Sequence, residues 1–62
     1  MTFTVHEIFE SGKYSGPIYS AQTRNEACEH AHKIASELWA YAVIGPDERE
    51  IEIGSVNEDF RW

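Results

Sequence analysis

Four residues constrain this chain more than any others: Thr23-Arg24-Asn25-Glu26 mark where its one helix begins. The pattern is a capping box. The Thr23 hydroxyl accepts the amide proton of Glu26, and the Glu26 carboxylate reaches back to the amide of Thr23. An acid in the first turn also complements the positive end of the helix dipole. The spacing then predicts a helix to about Trp39. At about 100° per residue, Ala27, Ala31, Ile34, Ala35 and Leu38 fall on one stripe, with Cys28 at its edge. Glu26, Glu29, Lys33, Ser36 and Glu37 fall on the other side, where Glu29 and Lys33 are four apart in the favourable order. The alanines of the stripe let the helix lie close to a sheet.

The flanks of this helix read as strands. Residues Thr2 to Glu10 are rich in Thr, Phe, Val and Ile, and they alternate except at Glu7, which falls on the Phe face. A bulge near His6-Glu7 repairs the pattern, or Glu7 sits at a sheet margin. Ser11 to Pro17 reads as a loop, punctuated by Gly12, Gly16 and Pro17. Ile18 to Ala21 is a second strand, in an antiparallel hairpin with the first. Tyr41 to Ile44 is a third. Gly45-Pro46-Asp47-Glu48 is a turn. Glu50-Ile51-Glu52-Ile53 alternates strictly, acids outward and isoleucines inward, so it reads as a fourth strand with one wet face. Ser55 to Trp62 is either a tail or a short closing strand that docks Phe60 and Trp62. The expected architecture is α+β, in the order β-β-α-β-β: a small antiparallel sheet with one helix packed on one face, in a single domain over residues 1–62. Strand order is left open. Two hairpins in one sheet leave its second face without a helix, and that face is where a function is expected.

Size sharpens the functional reading. A chain of 62 residues buries only about 60% of its unfolded surface, which leaves little room for an enclosed reactive cleft. Cys28 is the only cysteine, so no disulfide forms within the chain, which fits a reducing compartment. Met1 to Glu7 shows neither a basic start nor an apolar run, and the longest apolar stretch, Leu38 to Ile44, is far too short to cross a bilayer. A cytoplasmic location is expected. Eleven acidic residues face five basic ones, for a formal charge of −6. Lys13, Arg24, Lys33, Arg49 and Arg61 stand singly among acids. Nucleic-acid binding needs clustered cations, so direct contact with DNA or RNA is not expected, and an acidic membrane surface would repel the chain.

Three patterns suggest chemistry and fall short. His30 and His32 are two apart on a helix, about 200° from each other, and cannot share an ion. Cys28 and His32 are four apart and could, with His6 as a conceivable third ligand, but a structural zinc needs four. The same Cys28–His32 pair could serve as nucleophile and base, yet no orienting third group or oxyanion donor is evident. Gly12-Lys13-Tyr14-Ser15-Gly16 lacks the spacing of a phosphate loop. No catalytic function, cofactor or metal is expected.

The acids of the C-terminal third form the candidate site. From Gly45 to Trp62, Asp47, Glu48, Glu50, Glu52, Glu58 and Asp59 stand against Arg49 and Arg61. Such a patch steers toward a basic surface, and Trp62 supplies an aromatic anchor of the kind enriched at interfaces. The expected role is a small acidic interaction module that binds a basic protein. Its sharpest version is an inhibitor that imitates nucleic acid, of the kind phages use against host defence nucleases. The alternatives are a homodimer of no chemistry, paired through the second sheet face by Ile8, Tyr19 or Ile44, and a weak metal-binding module built on Cys28, His32 and His6.

Overall fold

The structure is a computed structural model and describes residues 1–55. In chain order it holds β1 (Phe3–Ile8), β2 (Tyr14–Ala21), α1 (Arg24–Ile34), a 3-10 turn (Ala35–Glu37), β3 (Ala40–Ile44) and β4 (Glu50–Gly54). The strands form one antiparallel sheet in the order β2-β1-β3-β4. This is the α+β, β-β-α-β-β arrangement read from the sequence. Its order follows from β1, which pairs with β2 on one side and β3 on the other. β2 and β3 therefore run parallel with β1 between them. Parallel strands need a crossover, and α1 supplies it. No helix among the described residues is long and apolar enough to cross a membrane.

The helix packs through its alanines. Ala27 and Ala31 are fully buried and Ala35 nearly so. Their spacing of four puts them on one face, and their size lets α1 touch β1, β2 and β3. Val5, Ala21, Tyr41 and Val43 complete this core, edged by Phe3, Tyr19, Cys28, Leu38 and Ile51. At the start of α1 the Thr23 hydroxyl accepts the Glu26 N–H at 3.2 Å. The return bond from the Thr23 amide to the Glu26 carboxylate does not form among the described residues, so only half of the capping box is realised.

The helix also stops earlier than expected, at Ile34 rather than near Trp39. The backbone tightens into the 3-10 turn, closed by the Leu38 N–H to the Ala35 carbonyl at 3.2 Å, and Leu38 is already extended. The chain must reverse here to enter β3 at Ala40, and a 3-10 turn makes that exit short.

β2 corrects a second boundary. It begins at Tyr14, not Ile18, and Gly16 and Pro17 lie inside it rather than in a loop. Pro17 is tolerated because β2 is an edge strand. Its pairing with β1 is irregular: Val5 faces Tyr19, His6 faces Pro17 and Ile8 faces Tyr14. Side-chain chemistry fills the gap. The Ser15 hydroxyl accepts the Glu7 N–H at 2.9 Å and donates to the Gly16 carbonyl at 2.8 Å. The irregularity expected near His6-Glu7 is present, but the extra residues belong to β2. β1 itself stays in unbroken register with β3.

β4 corrects a third reading. The register shifts between Val43↔Glu52 and Ile44↔Glu50, which makes Ile51 an extra residue. Ile51 packs in the helix-side core, whereas Ile53 packs on the other face with Ile8, Ala40 and Ala42. The strict alternation of acids out and isoleucines in does not hold. A bulge shifts the phase of a strand by one residue, so Glu50 and Glu52 lie on opposite faces. The face away from the helix is not bare. Ile8, Ala40 and Ala42 are buried there beside half-buried Trp39, Ile44 and Ile53. Ser55 Oγ donates to the Trp39 carbonyl at the end of this cluster.

Candidate functional site

Each face of the sheet carries one polar constellation. On the helix side, Tyr41 Oη donates to Glu52 Oε2 at 2.7 Å, and His32 Nε2 donates to the same oxygen at 2.6 Å. The His32 and Tyr41 rings meet edge-on with centroids 6.0 Å apart. Gly54 opposite Tyr41 makes room for this: a Cβ there would lie 2.7 Å from Tyr41 Oη. The hydrogen bond from Tyr41, foremost, holds the Glu52 carboxyl below the usual carboxylate range. Burial opposes it, and His32 and Arg24 assist. Burial, foremost, pushes the Tyr41 hydroxyl well above its ordinary value, followed by the bond to Glu52, its charge and the nearness of Cys28. A carboxylate made less basic and a phenol made less acidic are poor proton-transfer groups near neutrality. The constellation instead ties α1 to β3 and β4.

The histidines point to three different places. His30 stacks on Tyr19, with centroids 3.7 Å apart and planes 11° from parallel, toward β2. His32 turns the other way, toward β4. His6 lies across the sheet. Its Nδ1 contacts the Ser15 carbonyl at 3.1 Å and its Nε2 the Thr4 hydroxyl at 3.0 Å. A carbonyl only accepts, so Nδ1 carries the proton, and in the neutral ring Nε2 accepts from Thr4. Cys28 and His32 thus sit on the helix while His6 sits on the opposite face, both its nitrogens engaged. Among the described residues, no three His, Cys, Asp or Glu side chains converge as a metal site would require.

On the face away from the helix, a groove of about 670 Å³ opens at the end of the sheet. Thr2, Thr4, His6 and Ser15 form its polar lining. Tyr14, Pro17, Ile44 and Pro46 form its apolar walls, with Gly45 and Glu48 at the turn. Burial raises the Tyr14 hydroxyl above its ordinary value, and so, in smaller part, do the charge of Glu50 and a hydrogen bond to it. Glu50 is therefore a neighbour of Tyr14, while Glu48 is the one carboxylate among the residues that line the groove. The overhanging turn is built by two backbone bonds: the Gly45 N–H to the Arg49 carbonyl at 2.9 Å, and the Glu48 N–H to the Gly45 carbonyl at 3.0 Å. Pro46 suits the first loop position, and Glu48 takes the left-handed third, with φ 65°.

The structure separates the acids that the sequence grouped. Asp47 is tied to Arg49, accepting its amide at 3.3 Å and facing its guanidinium at 3.5 Å. Glu48 and Glu50 are both exposed, Glu48 lining the groove and Glu50 neighbouring Tyr14. Glu52 is turned to the helix side and bonded. Glu58, Asp59 and Trp62 lie outside the described residues. Of the residues named for a homodimer, Ile8 is buried and Tyr19 lies on the helix side, so neither offers the second face a surface. Sequence reasoning missed the groove. The available signal was Thr4 and His6, two polar side chains on the outer face of β1, opposite Val5. Comparison with protein-family models, with curated proteins and with solved structures finds no match for this chain.

Proposed function

We propose that this chain is a small protein-interaction module that docks on a basic surface of another protein through the groove-bearing face of its sheet. The groove carries the reading. Its walls are apolar, Glu48 stands at its turn, Glu50 reaches Tyr14, and no Lys or Arg among the described residues lines it. In a chain of formal charge −6, this end of the sheet attracts a cationic surface and offers it apolar contact. The acidic patch is narrower than the run of carboxylates implies, because Glu52 is engaged internally and Asp47 faces Arg49. The specific version is an inhibitor that occupies the nucleic-acid site of its partner, with carboxylates in place of phosphates. The sign of the charge and the small size support it.

The test is capture of partners by the wild-type chain and by a Glu48→Lys, Glu50→Lys double variant, each at low and high salt. A partner held by the wild type, lost in the variant and released by salt supports docking through this face. A partner indifferent to both changes refutes it. Competition between the captured partner's nucleic acid and this chain then decides the inhibitor version.

A further inference from the structure

The chain contains two hairpin loops with the same hydrogen-bond pattern. In the first, the Phe9 N–H donates to the Lys13 carbonyl and the Gly12 N–H to the Phe9 carbonyl, both at 2.8 Å. In the second, Gly45 and Arg49 take the places of Phe9 and Lys13, and Glu48 takes the place of Gly12. The third loop residue has positive φ in both, 89° at Gly12 and 65° at Glu48. Glycine adopts this conformation without steric penalty, and a residue with a Cβ does not. The first loop uses the unstrained residue. The second keeps a glutamate, and that glutamate lines the groove.

We propose that Glu48 is the anionic anchor for an arginine side chain of the partner protein, seated in the groove beside Tyr14. This rests on the docking role proposed above and specifies its chemistry. The groove's charge calls for a cation, since Glu48 lines it, Glu50 neighbours its Tyr14, and no Lys or Arg among the described residues lines it. Its walls call for a cation with an apolar stem, which Ile44 and Pro46 would flank. Tyr14 favours arginine over lysine, because a guanidinium pairs with a carboxylate and also stacks on an aromatic ring. His6 does not compete for the carboxylate, its ring nitrogens being held by Ser15 and Thr4.

The experiment titrates N-acetyl-arginine amide into the isotope-labelled full chain and follows the backbone amide resonances. N-acetyl-lysine amide and N-acetyl-norleucine amide are the comparison arms. Arginine amide is expected to shift Thr4, His6, Tyr14, Ile44 and Glu48 saturably, with lysine amide weaker and norleucine amide without effect. Glu48→Gln is expected to weaken arginine binding about tenfold, as loss of a charge-assisted bond does. Glu48→Gly is expected to abolish it while raising the melting temperature by about 5 °C, because the left-handed strain is relieved. Equal binding by norleucine amide, undiminished arginine binding in Glu48→Gln, or no saturable shift at the groove each overturns the proposal. If arginine amide fails while the charge-reversed double variant still loses a captured partner, the arginine pocket falls and the docking face stands. If both fail, both fall.

Discussion

The two faces of this sheet treat their carboxylates in opposite ways. Glu52, on the helix side, gives one oxygen to both Tyr41 and His32, and its charge is used inside the fold. Glu50, two residues earlier on the same strand, lies on the other face beside Tyr14, and Glu48 lines the groove in a strained backbone conformation. One face spends its polar groups on holding the helix. The other ties His6, Thr4 and Ser15 to one another and leaves its carboxylates exposed. The difference arises from a single inserted residue, Ile51, which moves the two glutamates to opposite sides. Composition treats the two acids alike, but a strand has only two faces and one bulge decides which each acid meets.

The largest test of this contrast is in the packing. Val43 is fully buried under α1, and Ile44 beside the groove is only half-buried. Val43→Ala is expected to cost about 2 kcal/mol, lowering the melting temperature by roughly 10 °C, and Ile44→Ala about half as much. Thermal unfolding by circular dichroism reads both. Equal losses would mean that the faces are equally load-sharing and that the contrast is one of charge only.

A smaller effect tests the helix-side polar contact. Tyr41→Phe leaves Glu52 without its principal donor and is expected to cost about 1 kcal/mol at neutral pH. The pH dependence carries the sign. Glu52 has a lowered folded pKa, so its contribution is complete above the ordinary value of 4.5 and is lost as pH falls through the lowered one. Tyr41 has a raised folded pKa, so its contribution is complete below the ordinary 10.0 and is lost as pH rises beyond it. Urea midpoints of the wild type should therefore decline on both the acid and the alkaline side. In Tyr41→Phe both declines should be shallower. An unchanged acid limb would show that Glu52 draws little from Tyr41.

The smallest expected effect lies at the turn. Asp47 and Arg49 are both largely exposed, and an exposed pair contributes little. Arg49→Ala should change stability by no more than about 0.5 kcal/mol. It should, however, strengthen capture of a basic partner, since it removes the cation nearest Glu48 and Glu50 in sequence. Weaker capture by this variant would place the docking surface elsewhere.

Much of this could be read without coordinates, and the reasons are local. Thr23 caps because a hydroxyl three residues before a free amide is within reach whatever surrounds it. Ala27, Ala31 and Ala35 share a face because four residues nearly complete a helical turn. Tyr14 to Pro17 misled because Gly and Pro mark loops on average, and only the edge position of β2 makes them acceptable in a strand. Glu52 misled because alternation assumes regular pairing, which the β3–β4 register breaks. The groove was illegible because Thr4, Tyr14, Ile44 and Glu48 come from three strands and a turn.

The amino-acid order alone thus determined the architecture, the start of the helix, the side it buries and the excess of negative charge, since each depends on near neighbours along the chain. Tertiary structure decided the strand order, the phase of β4 and the site. Those depend on which backbone groups β1 offers to β2 and β3, and on one extra residue that no periodicity within β4 reveals.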